Sequence, residues 1–296
     1  MSITKITTPE LLDFPNDSTS NANTSGTVIP TGNTAAQPST NLNAGEFRLN
    51  TTTGYLEYYD GSTWFQIADE YISGQPTTCI CNYPTTASAL YQLNDNANDT
   101  CGNSNGTFTN SSYVTGKFGN AASFNGSNNY IEVPVADTPS FLVSTVTFWV
   151  KTTTSSQDGV IGTGYDSGLY WNSFQAYVYG TTGKFVVRYG NGTQEGPALS
   201  STSDVNIGEW VFCAVSFSGS TVGSTVKMYV NGVLETTHTT TVSRVDNTQK
   251  GLIMGAYSGA GTIQNWFTGA VDQARIFSSV LTPTQITELY YETPCN

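Results

Sequence analysis

The chain has 296 residues, of which only 11% are charged, and a formal net charge of -12. This length suits one large packed core with an appended segment rather than several cores. The acid excess is even, with 8 acids and 2 bases up to Tyr83 and 14 acids and 8 bases beyond it, so no surface for nucleic acid or anionic lipid is expected.

The chain opens with an extended arm over residues 1–40. Its first six residues hold one Lys and no apolar run, so no secretory signal is expected, and no run of roughly 18 apolar residues points to membrane insertion. Residues 16–26 are polar and have nothing to bury, so the arm is expected to order only against neighbours in an assembly. Residues 41–72 alternate short strands with turn signals, and Thr53-Gly54 and Asp60-Gly61 predict tight hairpins. A meander of about 25 residues cannot bury Phe47, Leu49, Tyr55, Leu56, Trp64 and Phe65 alone, so oligomerisation is expected to cover them.

Gly74, Pro76 and Pro84 mark a linker over residues 73–86, and a long series of strands fills residues 87–296. Val146, Phe148 and Val150 alternate with Thr147 and Trp149, as do Val226, Met228 and Val230 with Lys227 and Tyr229. Asn231-Gly232 predicts a type I′ turn. One helix is expected near the end, with Thr282 as cap, Pro283 in its first turn, Gln285 completing a capping box, and Ile286, Leu289 and Tyr290 on one face.

Several side chains are candidates for chemistry. Asp95, Asn96, Asn98 and Asp99 crowd one loop with oxygen donors, which suits a hard cation or, equally, turn capping. The segment 162–172 sets Tyr165, Asp166, Tyr170, Trp171 and Asn172 among glycines, the mixture that stacks and hydrogen-bonds sugars, although aromatic residues of a β-sandwich also build cores. His238 is the only histidine, in a Thr-rich run expected to be exposed, with no elbow motif or second ligand to make it catalytic. Cys79-x-Cys81 lacks the second pair a zinc site needs, and Cys213 lies in an apolar strand as a buried thiol.

Two resemblances extend this reading. The stretch from Thr31-Gly32 through Gly45-Glu46-Phe47-Arg48-Leu49-Asn50-Thr51-Thr52-Thr53-Gly54-Tyr55-Leu56-Glu57-Tyr58-Tyr59-Asp60-Gly61-Ser62-Thr63-Trp64 resembles a module of phage tail and head fibres. That resemblance implies a homotrimeric virion appendage whose arm docks on other virion proteins, made in the host cytoplasm and released by lysis to work at the virion surface. Over residues 90–291, the motifs Asn94-Asp95-Asn96, Gly116-Lys117-Phe118-Gly119-Asn120-Ala121-Ala122-Ser123-Phe124-Asn125-Gly126, Tyr130-Ile131-Glu132-Val133-Pro134, Met228-Tyr229-Val230-Asn231-Gly232 and Gly269-Ala270-Val271-Asp272 are similar in order to the laminin-G-like/pentraxin-like family.

This second resemblance implies an all-β fold, a concanavalin A-like antiparallel β-sandwich (jelly roll), preceded here by the arm and the meander. It further implies calcium where Asp95 or Asp99 meets Asp272, with the family's following acid replaced by Gln273. In the family the first and last strands lie side by side, so Cys79 or Cys81 is expected to pair with Cys295, and the other to pair with Cys101 or stay free. The Glu-x-Asp-x-x-Glu spacing of glycan hydrolases on this fold is missing, so no catalytic residue is assigned and the protein is expected not to be an enzyme. The leading expectation is a fibre or spike that binds a host-surface glycan or protein for attachment. A capsid decoration protein that docks on and stabilises the shell is the alternative, with a glycan-cleaving enzyme third.

Overall fold

The computed structural model describes residues 31–33, 35, 43, 45–50, 56–59, 61–66, 81, 83–154, 156–163, 172–246, 250–259 and 262–292. The chain divides into two units, Met1–Gln75 and Pro76–Asn296.

The first unit holds a four-stranded sheet of β1 (Thr31–Gly32), β2 (Phe47–Asn50), β3 (Leu56–Tyr59) and β4 (Trp64–Gln66), in that order. Strand β3 pairs with β4 with Tyr59 opposite Trp64, and Gly61 of the expected Asp60-Gly61 turn has φ 104°; Asp60 and the Thr53-Gly54 turn lie outside the described residues. Strand β1 adds a parallel pair to the antiparallel meander, an arrangement that no local turn signal announces. Strand alternation puts Phe47, Leu49 and Tyr58 on one face, half-buried, and Arg48, Asn50 and Glu57 on the other, buried. There Arg48 Nε lies 3.3 Å from Glu57 Oε2, and Asn50 Nδ2 donates to Glu57 Oε1 at 2.7 Å.

The second unit is a β-sandwich. Its strands are β5 (Ala89–Tyr91), β6 (Thr107–Thr109), β7 (Tyr113–Thr115), β8 (Asn120–Asn125), β9 (Tyr130–Glu132), β10 (Ser144–Lys151), β11 (Gln157–Gly162), β12 (Asn172–Tyr179) and β13 (Lys184–Asn191). They continue with β14 (Leu199–Asp204), β15 (Val211–Phe217), β16 (Thr225–Val230), β17 (Val233–Thr239), β18 (Ile253–Met254), β19 (Tyr257–Gly259), β20 (Thr262–Gln264) and β21 (Thr268–Phe277), and helix α1 (Pro283–Tyr291) follows. One sheet runs β17-β16-β15-β10-β21-β8-β7, with β5 also paired to β21; the other runs β14-β13-β12-β11-β18-β9-β6. All pairs within the two sheets are antiparallel.

The main core lies between these sheets. Val146, Phe148 and Val150 of β10 and Val226, Met228 and Val230 of β16 meet Phe174, Ala176 and Val178 of β12 and Phe185 and Val187 of β13. The other side of β10 and β15 builds a second core, in which Trp149, Phe212 and Tyr229 lie under Ile286 and Leu289 of α1. The helix starts as expected, with the Thr282 side chain accepting from Gln285 N and the Gln285 side chain bonding back to Thr282 N. Asn231 and Gly232 have φ 49° and 79°, the pair of positive values a type I′ turn requires, and they connect β16 to β17. Among the described residues no helix is long and apolar enough to cross a membrane.

Candidate functional site

At one end of the sandwich, β11 and β12 finish where Gly162 faces Gln175, and residues 164–171 connect them. The expected sugar-contacting residues Tyr165, Asp166, Tyr170 and Trp171 lie outside the described residues, as does the side chain of Asn172. The topology nonetheless fixes where their segment leaves and returns. Thr163 N donates to Phe174 O at 3.1 Å, and Ser173 turns the chain with a φ of 59°.

Between these anchors is a cleft of about 140 Å³ lined by Val135, Thr138, Pro139, Ser140, Phe141, Thr163 and Asp246. Asp246 organises it. Its Oδ2 accepts from Ser140 Oγ at 2.6 Å, and its Oδ1 accepts from Phe141 N at 3.0 Å and Ser173 Oγ at 3.5 Å. One carboxylate thus ties together the loop before β10, the start of β12 and the segment after β17. Behind Phe141, the buried Arg244 guanidinium lies 3.7 Å from the centroid of the Phe217 ring and donates to Leu142 O at 2.8 Å. Burial pushes Arg244 down to about 9, against the opposing pull of Asp246. Its Nε and NH1 have no partner.

Asp246 is not legible as a site residue in the sequence. The only signal was an acid two residues after Arg244, and its partner Ser140 is 106 residues away.

The acids expected to hold calcium do other work. Asp99 Oδ1 accepts from Leu90 N and Cys101 N, both at 2.9 Å, and Oδ2 from Ser104 N at 3.2 Å, which shapes the 99–105 loop. Both oxygens of Asp95 accept from Asn120 Nδ2, at 3.0 and 2.9 Å. Asp272 is fully buried, and its Oδ2 accepts from Phe118 N at 2.9 Å while Oδ1 has no partner. Burial raises its carboxyl to about 7 against the stabilising backbone N–H groups of Phe118, Gln273 and Lys117 and the charge of Arg275. A Cβ at Gly116 would come within 2.6 Å of Asp272 Oδ2, so glycine is what lets this turn sit on the acid. Asp95 and Asp272 both hold the 116–120 turn, but Asp99 belongs to a separate loop. Among the described residues no group of three or more His, Cys, Asp and Glu is placed to hold a metal ion.

One further expectation changes. His238 is drawn into the sandwich by a 2.9 Å hydrogen bond between its Nε2 and Tyr189 OH, rather than standing free. Cys81 is bonded to Cys101, one of the pairings expected, which leaves Cys79 as the candidate partner of Cys295; Cys79 and Cys295 lie outside the described residues. Cys213 is a buried free thiol whose pKa burial pushes up.

Comparison with known proteins places this geometry. Residues 124–287, more than half of the chain, match the model of the concanavalin A-like lectin/glucanases superfamily. The chain belongs to this superfamily. Its sandwich is similar to domain 4 of AbnA, an extracellular arabinanase from Geobacillus stearothermophilus solved in complex with arabinotriose, with 24% identity and a TM-score of 0.54 over 69% of this chain and 98% of that one. It is also similar to the binding domain of Paraclostridial Mosquitocidal Protein 1, with 14% identity and a TM-score of 0.53 over 68% of this chain. A third similar structure is the binding domain of botulinum neurotoxin DC in complex with SialylT, with 14% identity and a TM-score of 0.51 over 68% of this chain. The chain spans about half the length of these two toxin domains, 51% and 50%. At these identities the likeness concerns the fold. No curated protein matches the chain by sequence.

Proposed function

We propose that the chain is a non-enzymatic attachment protein of a bacteriophage particle, a fibre or spike whose lectin/glucanase-like sandwich holds a host-surface glycan at the Asp246 cleft. The observation that carries this reading is the cleft itself. It gathers the Asp246 carboxylate and the Ser140 hydroxyl beside the point where the aromatic, Gly-rich segment 164–171 leaves β11. At about 140 Å³ it is smaller than the roughly 300–1,000 Å³ of typical small-molecule clefts, so it suits the end of a glycan rather than a long chain. Asp246 is the single acid among the described lining residues, whereas glycoside hydrolysis uses a pair of carboxylates.

Labelled full-length protein on an array of host-surface glycans is expected to bind a defined subset. Asp246→Asn, which keeps an acceptor for Phe141 N, should weaken that binding about tenfold through loss of a charge-assisted hydrogen bond. Wild-type protein that binds nothing on the array would overturn the reading.

The virion role rests on the fibre-type stretch ending at Trp64 and on the first sheet. Its polar face of Arg48, Asn50 and Glu57 is buried, while Phe47, Leu49 and Tyr58 remain half-buried in the single chain. An apolar face of this kind is served by two further copies, in a trimer. Light scattering of the full chain should give the mass of three chains, and a stable monomer at micromolar concentration would count against it.

A further inference from the structure

On the outer face of the eight-stranded sheet, beyond the area α1 covers, is a second, separate cleft of about 500 Å³, lined among others by Val114, Thr115, Ser123, Lys151, Trp210 and Ala270. Its floor follows from register. Val150 pairs with Val211, so the next residues of those two strands, Lys151 and Trp210, come side by side on the outer face. Lys151 in turn pairs with Ala270, and Ala270 with Ser123. A single row therefore crosses four adjacent strands as an indole, an ammonium and two small side chains. The trough exists because Ala270 and Ser123 are too small to fill the space between Trp210 and Val114.

Charge singles out this face. Five of the ten Lys and Arg residues are in ion pairs: Arg48, Lys184, Arg188, Lys250 and Arg275. Arg244 is buried, and Lys5 lies outside the described residues. The remaining bases without an ion pair among the described residues are Lys117, Lys151 and Lys227. All three are on the outer face, Lys227 because Val226 and Met228 on either side of it face the core, and Lys151 lines the trough. Lys117 Nζ lies 4.4 Å from the Trp149 ring centroid, and Trp149 is two residues before Lys151 on β10, hence on the same side of the sheet about 7 Å away.

We propose that this trough binds an acidic saccharide, with the indole of Trp210 under the sugar ring, Ser123 meeting a hydroxyl, and Lys151, backed by Lys117, pairing with the carboxylate. The net charge of -12 does not oppose this at close range, because at physiological salt charges beyond about 8 Å are largely screened and the local lysines set the sign. Asp272, the acid on the neighbouring strand, is buried, and Glu209 beside Trp210 does not line the trough.

The test is calorimetric titration of the full chain with trigalacturonate, its neutral methyl ester and 3′-sialyllactose. At least one acid sugar should bind, trigalacturonate more tightly than its ester, and added salt should weaken the interaction. Lys151→Ala should lose about tenfold in affinity, one charge-assisted hydrogen bond, and Asp246→Asn none. Lys151 is exposed, so its replacement leaves the fold intact, which the melting temperature checks. Equal binding of acid and ester, undiminished binding by Lys151→Ala, loss of binding in Asp246→Asn, or no binding of either acid sugar at millimolar concentration would each overturn the proposal. The last two results bear differently on the rim cleft: loss in Asp246→Asn moves the acid sugar there, whereas silence toward acid sugars leaves the glycan array result standing.

Discussion

Replacing Arg275 with methionine is expected to lower the folding stability of the sandwich by about 3–5 kcal/mol. Arg275 NH1 lies 2.7 Å from Glu292 Oε2, and the two side chains are only 2% and 1% exposed. Arg275 sits mid-strand on β21, in register with Leu90 of β5 and Thr147 of β10, and Glu292 is the C-cap of α1. The pair therefore fastens the end of the covering helix to the centre of the sheet. Arg275 Nε and NH2 and Glu292 Oε1 find no partner, so the pair already carries a desolvation cost that only its own contact offsets. Methionine keeps most of the aliphatic volume but leaves the carboxylate buried alone. Exchange of both residues, Arg275→Met with Glu292→Leu, should recover most of the loss, because no charge is then stranded. Urea unfolding of the two single variants and the double variant measures this. A double variant no more stable than Arg275→Met would assign the cost to packing instead.

Asp272→Asn is expected to abolish a fall in stability between about pH 4 and pH 7. The Asp272 carboxyl is raised from 3.8 to about 7, chiefly by burial. The folded state thus holds the proton more tightly than the unfolded chain. The contribution is most favourable below the unfolded value, declines as pH rises through the folded value, and is level above it. A shift of this size corresponds to a change on the order of 4 kcal/mol across that window. Asparagine stays neutral throughout and can still accept from Phe118 N, so at pH 8 the variant should be more stable than the wild type. Other carboxylates titrate in the same range, and the Asp158 carboxyl is also raised by burial, so the informative quantity is the difference between the two proteins at each pH. Parallel stability profiles for wild type and variant would sink the expectation.

Both expectations concern residues whose roles were only partly legible in the sequence. Asp272 stood out as an acid near the last strand, and the family resemblance implied a cation shared with Asp95 or Asp99. In the folded chain Asp272 and Asp95 take N–H donors from the same 116–120 turn, and Asp99 takes its own from the 99–105 loop. An acid that accepts from backbone amides and an acid that holds a metal look the same in one dimension, because both need an oxygen-rich loop. What distinguishes them is the direction of neighbouring N–H groups, which depends on backbone conformation such as the φ of 60° at Asp95. The cysteines were legible in part. The family resemblance left open which of Cys79 and Cys81 would reach Cys101, and the fold joins Cys81 to it, 20 residues away, while the first strand, β5, pairs with the last, β21.

What the sequence alone determined is whatever acts over a few residues. The alternation in β10 and β16 set which side chains face the main core, Asn231-Gly232 set a turn with two positive φ values, and Thr282 with Gln285 set the start of α1. Each follows from periodicity, sterics or a hydrogen bond between near neighbours, so no distant contact is needed to read it. Only the tertiary structure decided that Asp246 would meet Ser140 across 106 residues, and that Trp210, Lys151, Ala270 and Ser123 would form one row across four strands. Strand order and register arise from burying two sheets against each other, a collective condition on the whole chain. A slip of one residue in β10 would turn Lys151 into the core and Val150 outward, so the cost of burying that ammonium opposes any loss of the row that floors the trough.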